Sequence, residues 1–130
     1  MAGIFKRYTN PRNGVILNDA NTAFGCSITG NDDSGNGSRS NPFATLAKCM
    51  TISKTYNLFR GKSIENPTLS RETIGDDDSA ELYGTGSLMS AFYCCLKIDT
   101  VNVFAYYGSF DKCIIKTYIG GAGSLGGSVS

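Results

Sequence analysis

AFYCCLKI, residues 91–98, alternates apolar and mixed side chains along its length, and KCIIKTYI, residues 112–119, repeats the pattern. Laid over one another at an offset of 21 residues, Phe92, Cys94, Leu96 and Ile98 fall on Cys113, Ile115, Thr117 and Ile119, while Tyr93, Cys95 and Lys97 fall on Ile114, Lys116 and Tyr118. At the same offset Leu82 and Tyr83 fall on Val103 and Phe104. One side of each run stays mostly apolar, which is the alternation of a half-buried strand. Recurrence at a fixed interval predicts coils of short strands and turns, each strand stacked on its counterpart in the coil below.

Working outward, YNLFR (56–60), KSIE (62–65), TLSRETI (68–74), SAELY (79–83) and TVNVFAYY (100–107) read as further strands between Gly, Asp, Asn and Ser turns. The chain is therefore predicted to be mainly β, a parallel β-helix of few rungs over residues 25–119. One helix is legible, in SRSNPFATLAKCM (38–50). Ser40 or Asn41 can cap it, Pro42 suits its first position, and Phe43, Leu46, Ala47 and Met50 recur at i, i+3, i+4 and i+7. Thr45, Lys48 and Thr51 are expected on its solvent side. A first rung left open exposes unpaired backbone and apolar interior, so this helix, at about 42–53, is read as its lid.

Residues 1–24 form an extended N-terminal arm with two apolar knots. Ile4, Phe5, Lys6, Arg7 and Tyr8 precede the turn signal Asn10 to Gly14, and Val15, Ile16 and Leu17 follow it. Such an arm gains order by docking, on the body of its own domain or on a partner. At the other end GGAGSLGGSVS (120–130) reads as a flexible Gly/Ser-rich linker or tail.

The 130 residues carry twelve basic and eleven acidic side chains, a net charge of +1. That balance gives no field with which to hold a nucleic-acid backbone, so nucleic acid is not expected as a partner. There is no histidine, which removes Ser-His-Asp, Cys-His and zinc-histidine chemistry. Five cysteines without a Cys-x-x-Cys spacing suit buried thiols made in a reducing compartment. The N-terminus lacks the apolar run of a signal peptide and no stretch reaches the roughly eighteen apolar residues of a membrane span. A soluble chain made in a cytoplasm, without membrane insertion, is the expectation.

NDDSGNGSRSNPFATLAKCM and YNLFRGKSIENPTLSRETIGDDDSAELYGTG resemble the opening of right-handed parallel β-helix proteins of the pectin-lyase-like superfamily. There a Gly/Asp/Ser-rich loop and an "NPF-T-" element lead into a capping helix. The superfamily includes polysaccharide lyases and hydrolases, surface repeat proteins, and bacteriophage tailspikes and fibres that trimerise and bind or cleave host glycans. The arm ahead of the lid and the absent export signal point to the virion branch. The resemblance thus implies a structural virion protein: the N-terminal anchoring part of a phage tail or collar spike or fibre, attaching a host-binding appendage to the particle. Its partners would be other virion proteins, two further copies of itself in a homotrimer, and a host-surface glycan. It would be made in the host cytoplasm and reside in the virion. The alternative is a carbohydrate-active lyase- or hydrolase-like β-helix domain truncated before its active site.

Candidate chemistry is sparse, and an enzyme is not expected. Asp76, Asp77 and Asp78, with Glu81 nearby, are the weak catalytic candidates, since sugar cleavage needs paired carboxylates. Consecutive strand residues do not share a face, so a rung corner is the simpler reading. Asp32, Ser34 and Asn36 match the start of a calcium loop, but its twelfth position is Phe43 instead of glutamate, so no metal or other cofactor is expected. Cys94 and Cys95 as strand neighbours would point to opposite faces, which disfavours a mutual disulfide. Tyr93, Tyr106, Tyr107 and Tyr118 could stack sugars, though tyrosines more commonly cover a sheet or an oligomer interface. On this reading removal of residues 1–17 abolishes particle incorporation and leaves the fold intact.

Overall fold

A computed structural model describes residues 5–63, 71–76, 80–83, 92–101, 105–106, 109–119, 124–125 and 128–129. The elements in chain order are β1 (Thr22–Cys26), α1 (Leu46–Cys49), β2 (Tyr56–Arg60), β3 (Lys62–Ser63), β4 (Glu72–Gly75), β5 (Glu81–Tyr83) and β6 (Phe92–Cys94). They continue with β7 (Lys97–Val101), β8 (Ala105–Tyr106), β9 (Ser109–Asp111), β10 (Ile114–Ile119), β11 (Ser124–Leu125) and β12 (Ser128–Val129). The protein is thus rich in strand, and every pairing between these strands is parallel. Three open sheets result, ordered β1-β2-β4-β6-β9-β12, β10-β7-β5-β3 and β11-β8. From β2 to β7 the chain alternates between the first two sheets, and β8 and β11 form the third, each return to a sheet laying a strand beside the one left there before. No helix among the described residues is long and apolar enough to cross a membrane.

Parallel stacking agrees with the sequence; the register does not. Ile115 stands beside Ile98 and Ile119 beside Val101, with an irregularity between Ile115 and Tyr118, and Leu82 stands beside Ile98, while Val103 and Phe104 lie outside the described residues. The offset of 21 assumed that 91–98 is a single strand. Instead Cys95 takes φ 57, in the left-handed region that L-residues rarely enter, and turns the chain from β6 in one sheet to β7 in another. Lys112, φ 55, does the same between β9 and β10, seventeen residues on. The pairs on either side of these corners, Cys94 with Asp111 and Ile98 with Ile115, are seventeen residues apart and not twenty-one. Likewise 100–107 is divided between β7 and β8.

The outer edge of β1 is sealed by backbone more than by a helix. Phe24 N–H donates to the Gly37 carbonyl, Cys26 N–H to that of Phe43, and Phe43 N–H to that of Phe24. Phe43 therefore sits as a parallel bridge against Gly25 instead of inside a helix. The helix itself is one turn, Leu46–Cys49, shorter than the 42–53 predicted, and its cap is Thr45 in place of Ser40 or Asn41. Thr45 Oγ1 accepts from Lys48 N–H at 3.1 Å and donates to Asp32 at 2.8 Å. Because the turn starts late, its inward residues are Leu46 and Cys49, Met50 is half-buried and Ala47 faces solvent. Leu46, fully buried against β1 and β2, is worth about 1.5–3 kcal/mol. Thr45→Ala is expected to lower stability by about 1 kcal/mol in urea denaturation, since it removes the cap.

The six-stranded sheet is covered on both faces. Ala23 and Phe59 on one side join Phe43, Leu46, Cys49, Ala80, Leu82 and Leu96 in a cluster that links two sheets and the lid. Phe24, Cys26, Tyr56, Leu58, Ile74 and Cys94 line the other side, and Phe5 and Leu17 cover them. Phe24, Leu58, Ile74 and Cys94 are in register from strand to strand, an apolar ladder across four strands. β1 spans the boundary after residue 24 that separated arm from body, and the tract 120–130 contributes β11 and β12. In that tract small side chains hide strand character that a parallel neighbour supplies through backbone pairing.

Candidate functional site

The site with the densest polar chemistry is where the arm crosses the outer face of the six-stranded sheet. Glu72, Ile74 and Asp76 lie at alternate positions at and just beyond β4, so all three project to this face, with Ile74 in the apolar ladder between two carboxylates. The arm bonds to both. Lys6 N–H donates to the two Asp76 oxygens at 2.9 and 3.1 Å, Arg7 N–H donates at 3.0 Å, and Arg60 closes a salt bridge at 3.1 Å. The Asp76 side chain is fully buried. Arg7 Nε donates to the Gly75 carbonyl at 2.7 Å.

Glu72 receives Asn10 Nδ2 at 2.6 Å and a two-pronged contact from Arg12, Nε at 3.0 Å and Nη2 at 2.8 Å. The bond to Glu72 raises the Arg12 guanidinium above its ordinary value, against partial desolvation. Beyond the first anchor point the arm makes a hairpin whose turn carries the second. Asn10 N–H donates to the Val15 carbonyl and Leu17 N–H to that of Tyr8, around a turn in which Gly14 takes φ 77, a conformation open to glycine. Phe5 meets Phe24 edge-on at 5.2 Å between centroids. Arg39, from the loop before α1, slots its guanidinium between the rings of Tyr8 and Phe24, 4.4 and 4.7 Å from their centroids, and donates to the Leu17 carbonyl at 3.0 Å.

Of the residues singled out in the arm, Phe5 and Leu17 are buried, Arg7 is half-buried, and Lys6, Tyr8, Val15 and Ile16 face outward; Ile4 lies outside the described residues. The arm packs on its own domain. Asp76 serves as its anchor, and Asp77 and Asp78 lie outside the described residues, so no carboxylate pair poised for sugar cleavage emerges among those described. Asp32 is occupied with Ala44 N–H and the backbone and hydroxyl of Thr45. Ser34 is held through its own N–H by Asn31, and Asn36 accepts from Ser38 N–H. These three act as loop and helix staples. Tyr107 and the side chains of Tyr93, Tyr106 and Tyr118 lie outside what is described.

Glu72, Arg39, Asn10, Arg12 and Phe24 carry the site and were not apparent from the sequence. Acidic residues at i and i+4 flanking an apolar one, with a basic-aromatic segment elsewhere in the chain, are the signal that was available. Chemically the arrangement binds: two carboxylates grip backbone amides and a guanidinium over an apolar floor. No family model, curated protein or solved structure matches the chain.

Proposed function

We propose that the chain is the start of a right-handed parallel β-helix and serves as a structural virion protein, the N-terminal anchoring part of a phage tail or collar spike or fibre. Repeated return of the chain to the same parallel sheets supports the coil, and right-handedness is expected from the near-universal hand of parallel crossovers. The observation that carries the reading is the sealed β1 edge: residues 37 and 43 bond to it and the pinned arm flanks it. A stack capped at its first strand, with an arm fixed beside the cap, suits the base of a shaft.

In this reading the pinned arm displays its outward face to the particle. Tyr8, Val15 and Ile16 are 60%, 37% and 66% exposed on one hairpin, a local concentration of apolar surface that a neighbouring virion protein would cover. In this reading the role is structural, with Asp76, one of the three carboxylates weighed for catalysis, committed to the arm. Mass spectrometry of purified particles is expected to find this chain, and the double variant Val15→Glu, Ile16→Lys is expected to be lost from them while unfolding within about 0.5 kcal/mol of the parent. Particles that lack the parent chain, or that carry the variant at full occupancy, would overturn the proposal.

A further inference from the structure

Cys94 and Cys95 are adjacent, yet both are buried in the same cluster, and their sulfurs lie 3.6 Å apart. Neighbours in a strand would diverge; the left-handed backbone of Cys95 (φ 57) brings the second thiol round to the side of the first. We propose that this pair is a two-thiol binding site for a single soft, thiophilic centre that takes two sulfur ligands, of the class of monosubstituted trivalent arsenicals.

The spacing is that of a chelate. An atom bonded to both sulfurs at about 2.3 Å, the length of a zinc–thiolate bond, subtends an S–X–S angle of about 100° at this separation. That angle suits a pyramidal trivalent centre. A mutual disulfide fits less well, because Cα atoms joined by one trans peptide are about 3.8 Å apart and disulfides prefer about 4.4–6.8 Å. The donor set is also restrictive. Among the described residues no cluster of three or more Cys, Asp or Glu side chains is placed to hold a metal ion, so a centre that demands four ligands is not satisfied here, whereas one that carries its own carbon substituent needs only these two. Cys94 is fully buried and Cys95 is 7% exposed, which leaves the Cys95 side as the entry.

Binding exchanges oxygen for sulfur without electron transfer. A monosubstituted arsenical carrying two hydroxyls forms two As–S bonds, both As–O bonds break, and the two thiol protons leave with the hydroxyls as two waters.

The test uses the full native chain and phenylarsine oxide. One adduct per chain is expected, masking two of the five thiols, reversed by a dithiol and not by a monothiol, and raising the thermal midpoint because the folded chain is the better ligand. Cys95→Gly, which supplies a residue at ease with positive φ and so preserves the corner, is expected to weaken capture by about 100-fold or more, the loss of the second, intramolecular bond. Cys113→Ser is expected to bind as the parent does. The proposal is overturned if the native chain takes no adduct, if the midpoint falls on binding, or if folded Cys95→Gly binds as tightly as the parent.

Discussion

A chain lacking residues 1–17 is expected to lose its cooperative unfolding transition and to bind a hydrophobic dye under conditions where the full chain does not. Phe5 and Leu17 are 3% and 2% exposed, and removing them uncovers the ladder of Phe24, Leu58, Ile74 and Cys94. Truncation of one buried Phe or Leu side chain costs about 2–5 kcal/mol. The same cut strips Asp76 of two backbone donors and Glu72 of Asn10 and Arg12. Against a total stability of about 5–15 kcal/mol, the combined loss leaves little folded protein. This reverses the expectation drawn from the sequence, in which the arm is dispensable for the fold. A truncated chain that unfolds in urea at the parent's midpoint would show that the arm is no part of the core.

Asp76→Ala is expected to cost about 3 kcal/mol, which at an m-value of about 2 kcal/mol/M moves the urea midpoint down by about 1.5 M. The substitution leaves Arg60 without its buried partner and the amides of Lys6 and Arg7 without acceptors. Because both amides belong to the arm, the damage is directed. Trypsin is expected to cut after Lys6 and Arg7 faster in the variant than in the parent, before the rest of the domain is digested. Equal cleavage rates with an unchanged midpoint would mean that Asp76 is a bystander to arm docking.

Repetition and alternation made the strands and their parallel stacking legible, since period-two patterning reports a half-buried strand whatever its neighbours are. Register was not, because the spacing of paired strands varies, twenty residues from Ile74 to Cys94 and seventeen from Cys94 to Asp111, and nothing in a cysteine or a lysine announces the left-handed corners at Cys95 and Lys112 as a glycine would. The lid was found through Leu46 and Pro42, but its extent was overestimated, since Phe43 keeps helical spacing with Leu46 while bonding as a strand. The docking site was hidden for another reason. Its pieces, Lys6 to Arg12, Arg39 and Glu72 to Asp76, are separated by up to 70 residues, and single residues of a long-range contact leave no local pattern.

The pairings also order the assembly of the fold in time. Leu58 meets Ile74 across sixteen residues, whereas Phe24 meets Leu58 across thirty-four, with the whole Gly-rich loop and α1 between. Loop closure costs about 0.6 kcal/mol more for each doubling of length, so the nearer pair is expected to form early, as is the Phe24–Gly37 contact that seals β1 across thirteen residues. The joining of the sealed β1 to β2 is therefore expected late, and until it happens the β2 edge stands open as a template on which a foreign strand could settle.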